Sequence, residues 1–169
     1  LAEFNISNLR SKDYAYGAYI HHKSSHAKLR LMNDDKANAG YVENLINLYG
    51  KRFFPSTTLS GSLNFDQNAF YYYGYNTDRY ILPPNLEKDS LRQRNYKPGI
   101  KLGIKSNSED PEFIGFNINA DVNYFIDRQK NKEMQAVVNA TFTKEVSGIL
   151  GGLDLAAEYS NFDGKIDST

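Results

Sequence analysis

Cysteine and tryptophan are both absent from this chain of 169 residues, and methionine occurs only twice. The missing thiols exclude a disulfide framework and any thiolate metal site, although they leave the compartment open. Neither sign of charge is in surplus, because 20 Lys and Arg stand against 20 Asp and Glu. A chain without a basic field gives no reason to expect a nucleic-acid partner. No run of 18 apolar residues occurs, which rules out a transmembrane helix but not a barrel, whose strands are apolar on one side only. A signal-peptide pattern is also missing from the start.

What the sequence does hold is alternation, carried by 13 Tyr, 10 Phe and many Asn and Asp. From Ile114 to Asp127 the even positions Ile114, Phe116, Ile118, Ala120, Val122, Tyr124 and Ile126 are apolar, against Asn117, Asn119, Asp121 and Asn123. A period of two predicts a strand with one oily and one polar face. Its length suits a tilted bilayer-crossing strand of about 9 to 11 residues with extensions, and exceeds most soluble strands of about 3 to 10.

The same pattern recurs along the chain. One run starts near Lys12, with Tyr14, Tyr16, Ala18 and Ile20 on one side, and either continues to Leu31 or bends at Ser24 and Ser25. The polar stretch from Asn33 to Asn38 reads as a break. Tyr41 to Phe54 is less regular and permits a helical reading through Tyr41, Leu45, Leu48 and Tyr49, but Gly50 and Phe53-Phe54-Pro55 favour a strand entering a turn. Leu59, Gly61, Leu63 and Phe65 then alternate with serines, Asn64 and Asp66, leading to the aromatic tract Phe70 to Tyr75. A long break from about Asn76 to Asn95 precedes strands at Tyr96 to Lys105, Met134 to Phe142 and Ile149 to Ser160. Short and longer connections roughly take turns, as at the two rims of an outer-membrane barrel, with the Arg128 to Lys132 turn as the exception.

These features predict an all-β fold: an antiparallel transmembrane β-barrel or a part of a larger one, with residues 1–169 forming a single β-barrel domain of about eight strands. The strand-like opening at Leu1 favours a part of a larger barrel. Hydrocarbon offers no partners to open backbone groups, so such a sheet must close on itself. The competing reading is a soluble β-sandwich or barrel that buries the same apolar faces.

The segments Arg10-Ser11-Lys12-Asp13-Tyr14-Ala15-Tyr16-Gly17-Ala18-Tyr19 and Leu59-Ser60-Gly61-Ser62-Leu63-Asn64-Phe65, with the aromatic and asparagine-rich hairpins over most of the chain, carry a family likeness. The chain resembles the outer-membrane β-barrel proteins of Bacteroidetes, including receptor-like and porin-like members. That resemblance implies the bacterial outer membrane as location, membrane lipid as partner, and a cell-envelope role in transport or reception. A small solute or an envelope protein would be the further partner. The alternative function is a non-transporting surface binding module that uses the 76–95 loop and the tyrosine tract to hold a protein or glycan.

On the polar face, Asn64, Asp66, Lys101, Lys105, Asn117, Asn119, Asp121, Asn139 and Asp154 are expected to line a lumen, where they would tune passage, hold a plug, or simply hydrogen-bond across a filled interior. No metal or other cofactor is expected. His22 and His26 could share a face, yet four residues of extended chain separate them by roughly 13 Å, too far for one ion. Glu109 and Asp110 before Pro111 read as a solvated turn, and no nucleophile can be paired with a base, so an enzyme is not expected.

Overall fold

The computed structural model describes residues 1–8, 10–30, 36–72, 91–107 and 113–164. Its main body is one antiparallel sheet of eight strands in the order β1 (Ala2–Asn8), β2 (Tyr14–Ser25), β5 (Tyr41–Phe53), β6 (Thr57–Tyr71), β7 (Arg92–Ser106), β8 (Gly115–Ile126), β9 (Lys132–Val146) and β10 (Ile149–Asp163). A separate two-stranded ribbon, β3 (Lys28–Arg30) and β4 (Lys36–Asn38), rises from the β2–β5 connection. Each strand of the main sheet neighbours the next one of that sheet in sequence, so hairpin connections suffice throughout.

Turn chemistry fixes the register at two of these hairpins. Between β9 and β10 the two-residue turn Ser147-Gly148 has positive φ at both positions, 55° and 79°, which matches the twist of the strands on either side. Between β8 and β9, Lys130 is left-handed at 67°, while Asp127 accepts from both the backbone N–H and the side-chain amide of Asn131, at 2.9 and 2.8 Å. A short turn is therefore stable where the length alternation predicted a long loop.

The register sorts the two faces cleanly. One row crosses all eight strands as Ile6, Ala18, Leu48, Leu63, Ile100, Val122, Ala136 and Tyr159, each opposite the next. The neighbouring row on the other face reads Asn5, Tyr19, Asn47, Asn64, Gly99, Asn123, Gln135 and Ser160. Alternation therefore persists through every pairing, because a slip of one residue at any ladder would mix the two sets.

The sheet is open, and this overturns the barrel. Within the main sheet β1 pairs with β2 alone and β10 with β9 alone, so among the described residues no ladder joins the two ends. Every residue of β10 is exposed. The transmembrane β-barrel, the likeness to Bacteroidetes receptor-like and porin-like proteins, and a transport or receptor role through a lumen are corrected together. A lumen needs a wall on every side, which an unclosed sheet does not supply. The outer-membrane location and the lipid partner fall with the barrel, since both rested on a sheet whose backbone groups are all paired.

Two local expectations also change: Lys36–Asn38 is a strand rather than part of a break, and β7 begins at Arg92, four residues before Tyr96. The Tyr41–Phe53 segment is a strand, the reading that Gly50 and Phe53-Phe54-Pro55 favoured over a helix. The 76–90 portion of the long loop, Tyr73 and Tyr75 of the aromatic tract, and Glu109, Asp110 and Pro111 lie outside the described residues. A single layer of sheet has no second layer to pack on. Among the described residues, accordingly, the buried apolar side chains are only Ala15 and Ala69, and Leu63, Leu102 and Leu153 remain more than half exposed.

Candidate polar binding face

All nine residues picked from the sequence fall on one face, the polar one. Five cross-strand rows hold them, and the rows differ in what they can do. In the first, Asn64 lies between Asn47 and Gly99. The Asn47 amide donates to the Asn64 side-chain oxygen, while the Asn64 Nδ2 is buried without an acceptor among the described residues. Gly99 has no side chain to contribute, and Asn123 leans into the gap: a Cβ at Gly99 would lie 2.5 Å from the Asn123 Oδ1.

The second row brings Ser62, Lys101 and Asp121 together. Lys101 Nζ stands 2.7 Å from Asp121 Oδ2, and Asn123 donates to the other carboxylate oxygen at 2.8 Å. Since the Lys101 side chain is 57% exposed, this pair contributes at most about 1 kcal/mol to folding. Its consequence is geometric, because it holds a cation and an anion at fixed points on the face. A third row sets Asp66 between Leu45 and Lys97.

Several of these rows border one cavity of about 710 Å³, walled by side chains from five adjacent strands, β2 and β5 through β8, including Tyr19, Asn64, Asp66, Lys97, Lys101 and Asp121. A second cavity of about 560 Å³ shares Lys101 and Asp121 and adds Asn119 and Asn139, which oppose one another in a fourth row.

The remaining expected residues lie apart from these cavities. Lys105 and Asn117 face each other near the end of the sheet, with Asn117 accepting from Asn119 at 3.1 Å. Asp154, on the edge strand, accepts from the Thr141 hydroxyl at 2.7 Å. Five side chains that line the larger cavity did not figure among the expected ones: Tyr19, Leu45, Asn47, Lys97 and Asn123. Lys97 and Asn123 stand at the polar positions of their runs, so strand parity marks them. Asn47 was obscured by the imperfect alternation of its run, and parity puts Tyr19 on the face opposite Tyr14, Tyr16, Ala18 and Ile20, while only pairing brings it to this cavity.

The histidines are engaged separately. His21 lies on the polar face, 3.0 Å from Glu3, whereas His22 lies on the opposite face, 2.6 Å from Asn44 and 3.1 Å from Ser24. Among the described residues no three His, Cys, Asp or Glu side chains gather at a point where they could hold a metal ion. Among the described residues no helix is long and apolar enough to cross a membrane, a statement that bears on helices alone. No family model, curated protein or solved structure matches this chain.

Proposed function

We propose that this chain is a non-transporting binding module that receives a polar, glycan-like ligand on the polar face of its open sheet. The observation that carries this reading is the cavity of about 710 Å³ walled by Tyr19, Asn64, Asp66, Lys97, Lys101 and Asp121. Its size falls within the usual range for ligand pockets, roughly 300 to 1,000 Å³. Sugar hydroxyls donate and accept at once, and the amide side chains here offer both functions, as do the carboxylates and ammonium groups taken together. Asn64 adds a buried N–H without a protein acceptor among the described residues, which a ligand oxygen would satisfy. Tyr19 adds an aromatic ring suited to lie against a pyranose, with its hydroxyl 3.5 Å from His21 Nδ1. Binding alone, with no covalent step, is the role assigned.

Titration of the purified chain with a panel of neutral oligosaccharides, followed by calorimetry, tests this reading. At least one member is expected to bind saturably, and Lys101→Gln combined with Asp121→Asn should weaken it about tenfold, equivalent to about 1.4 kcal/mol. Asp154→Asn, on the same face but away from the cavity, should leave affinity unchanged. Absence of binding across the panel, or equal binding by the wild type and the double variant, overturns the proposal.

A further inference from the structure

At one end of the opposite, largely apolar face the strands carry guanidinium groups instead of aliphatic side chains. Arg92, Arg94 and Tyr96 occupy alternate positions of β7 and so share that face. Tyr96 pairs with Ile126, which carries Arg128, just past the end of β8, alongside the two arginines. Arg128 donates from Nη1 to the Arg92 carbonyl oxygen, locking the turn against β7. The four residues line a cavity of about 430 Å³.

Like charges sharing one cavity repel each other, and for two of them, Arg92 and Arg94, the surroundings do little to offset the repulsion. Neither Arg92 nor Arg94 meets a carboxylate among the described residues. Arg94 Nη1 lies 3.3 Å from the Tyr96 hydroxyl, a neutral partner. The Arg92 guanidinium stands 6.0 Å from the centre of the Tyr71 ring. Arg92 Nε is buried and has no acceptor among the described residues. Two guanidinium groups without a carboxylate partner among the described residues, beside a third on the same cavity, call for acceptor oxygens of negative charge.

From this geometry we infer a second binding site, formed by Arg92, Arg94, Arg128 and Tyr96, for an oxyanion group (phosphate, sulfate or carboxylate) carried on a larger molecule. It is independent of the glycan reading, since it lies on the other face and uses none of the same side chains. The cavity volume exceeds what a bare anion fills and is of the order of ligand pockets, roughly 300 to 1,000 Å³. Arginine rather than lysine at all three positions favours two-point recognition of oxygens over attraction by net charge alone.

The test titrates the purified chain with inorganic phosphate, sulfate and acetate in turn, at constant ionic strength maintained with chloride, and follows the backbone amide resonances of residues 92–96 and 128. At least one anion is expected to shift them saturably, and the order of the three identifies the group preferred. Arg94→Gln should weaken that anion at least tenfold, and Arg94→Lys, which keeps the charge but loses the fork, about threefold. Lys105→Gln, on the same strand but facing the other way and apart from both polar-face cavities, should bind as the wild type does. Arg128→Gln carries the same expectation as Arg94→Gln and replaces it if that variant fails to give a β-sheet spectrum. Non-saturating shifts with all three anions, unchanged affinity in the guanidinium-deleting variant, or an equal loss in Lys105→Gln overturns the inference.

Discussion

Gly17 shows how tightly a single position can be constrained in a sheet with almost no core. It lies between Ser7 and Tyr49 in its row, and the Tyr49 ring folds over it. A Cβ there would meet that ring and would also come within 2.8 Å of the Ile6 backbone oxygen. The ring can swing away, but the backbone oxygen cannot move without disturbing the β1–β2 ladder. Gly17→Ala is therefore expected to destabilise the fold by about 1 to 3 kcal/mol. Gly50→Ala supplies the contrast, because its nearest neighbour would be a backbone oxygen at a comfortable 3.9 Å. Urea denaturation of the two variants checks this, and equal midpoints would refute it.

Among the elements, β10 is the most vulnerable. It runs for 15 residues with every residue exposed and pairs on one side only. Natural edge strands are usually short, bent, or guarded by lysine or proline. Ile149–Asp163 contains none of the last two and carries just Asp154, Glu158 and Asp163 as charges. An unguarded edge of this length is expected to pair with a second strand, so the chain should associate as its concentration rises. Leu153→Lys with Leu155→Lys should suppress that association by placing like charges on the edge. Sedimentation velocity over a concentration series decides the matter: a wild type whose sedimentation does not change with concentration would contradict the expectation.

For the whole molecule, the open sheet predicts a gradient of stability. Strand β6 is flanked by ladders of 13 and 15 paired residues, the largest total of any strand, whereas β1 contributes seven pairs and β10 is tied through one ladder. Backbone amides of β6 should thus exchange most slowly with deuterated solvent, and those of β1 most quickly, since local opening follows the number of bonds and contacts that must be lost. Uniform protection across all eight strands would argue against an open sheet. The apolar row from Ile6 to Tyr159 is a second property visible only at this scale, because it joins residues from strands far apart in sequence into one band.

The sequence by itself determined the all-β class, most of the strands, and the division of their side chains into an apolar and a polar set. The physical reason is that a strand's side chains alternate with a period of two, so composition along each run already states which residues share a side. That is why Asn64, Asp66, Lys101, Asn119 and Asp121 could be picked out before any pairing was known. Closure was not legible in this way, because a strand in a closed barrel and one in an open sheet have the same alternation; the difference lies in whether β1 meets β10. Nor could the sequence show which polar residues converge, since Tyr19 and Asn123 are separated by more than a hundred residues and come to one cavity only through four ladders. The arginine cluster was hidden for a related reason. Arg92 and Arg94 sat within a segment read as loop, and Arg128 sat in a turn, so only the β7–β8 register and a side-chain bond across it could place the three guanidinium groups around one cavity.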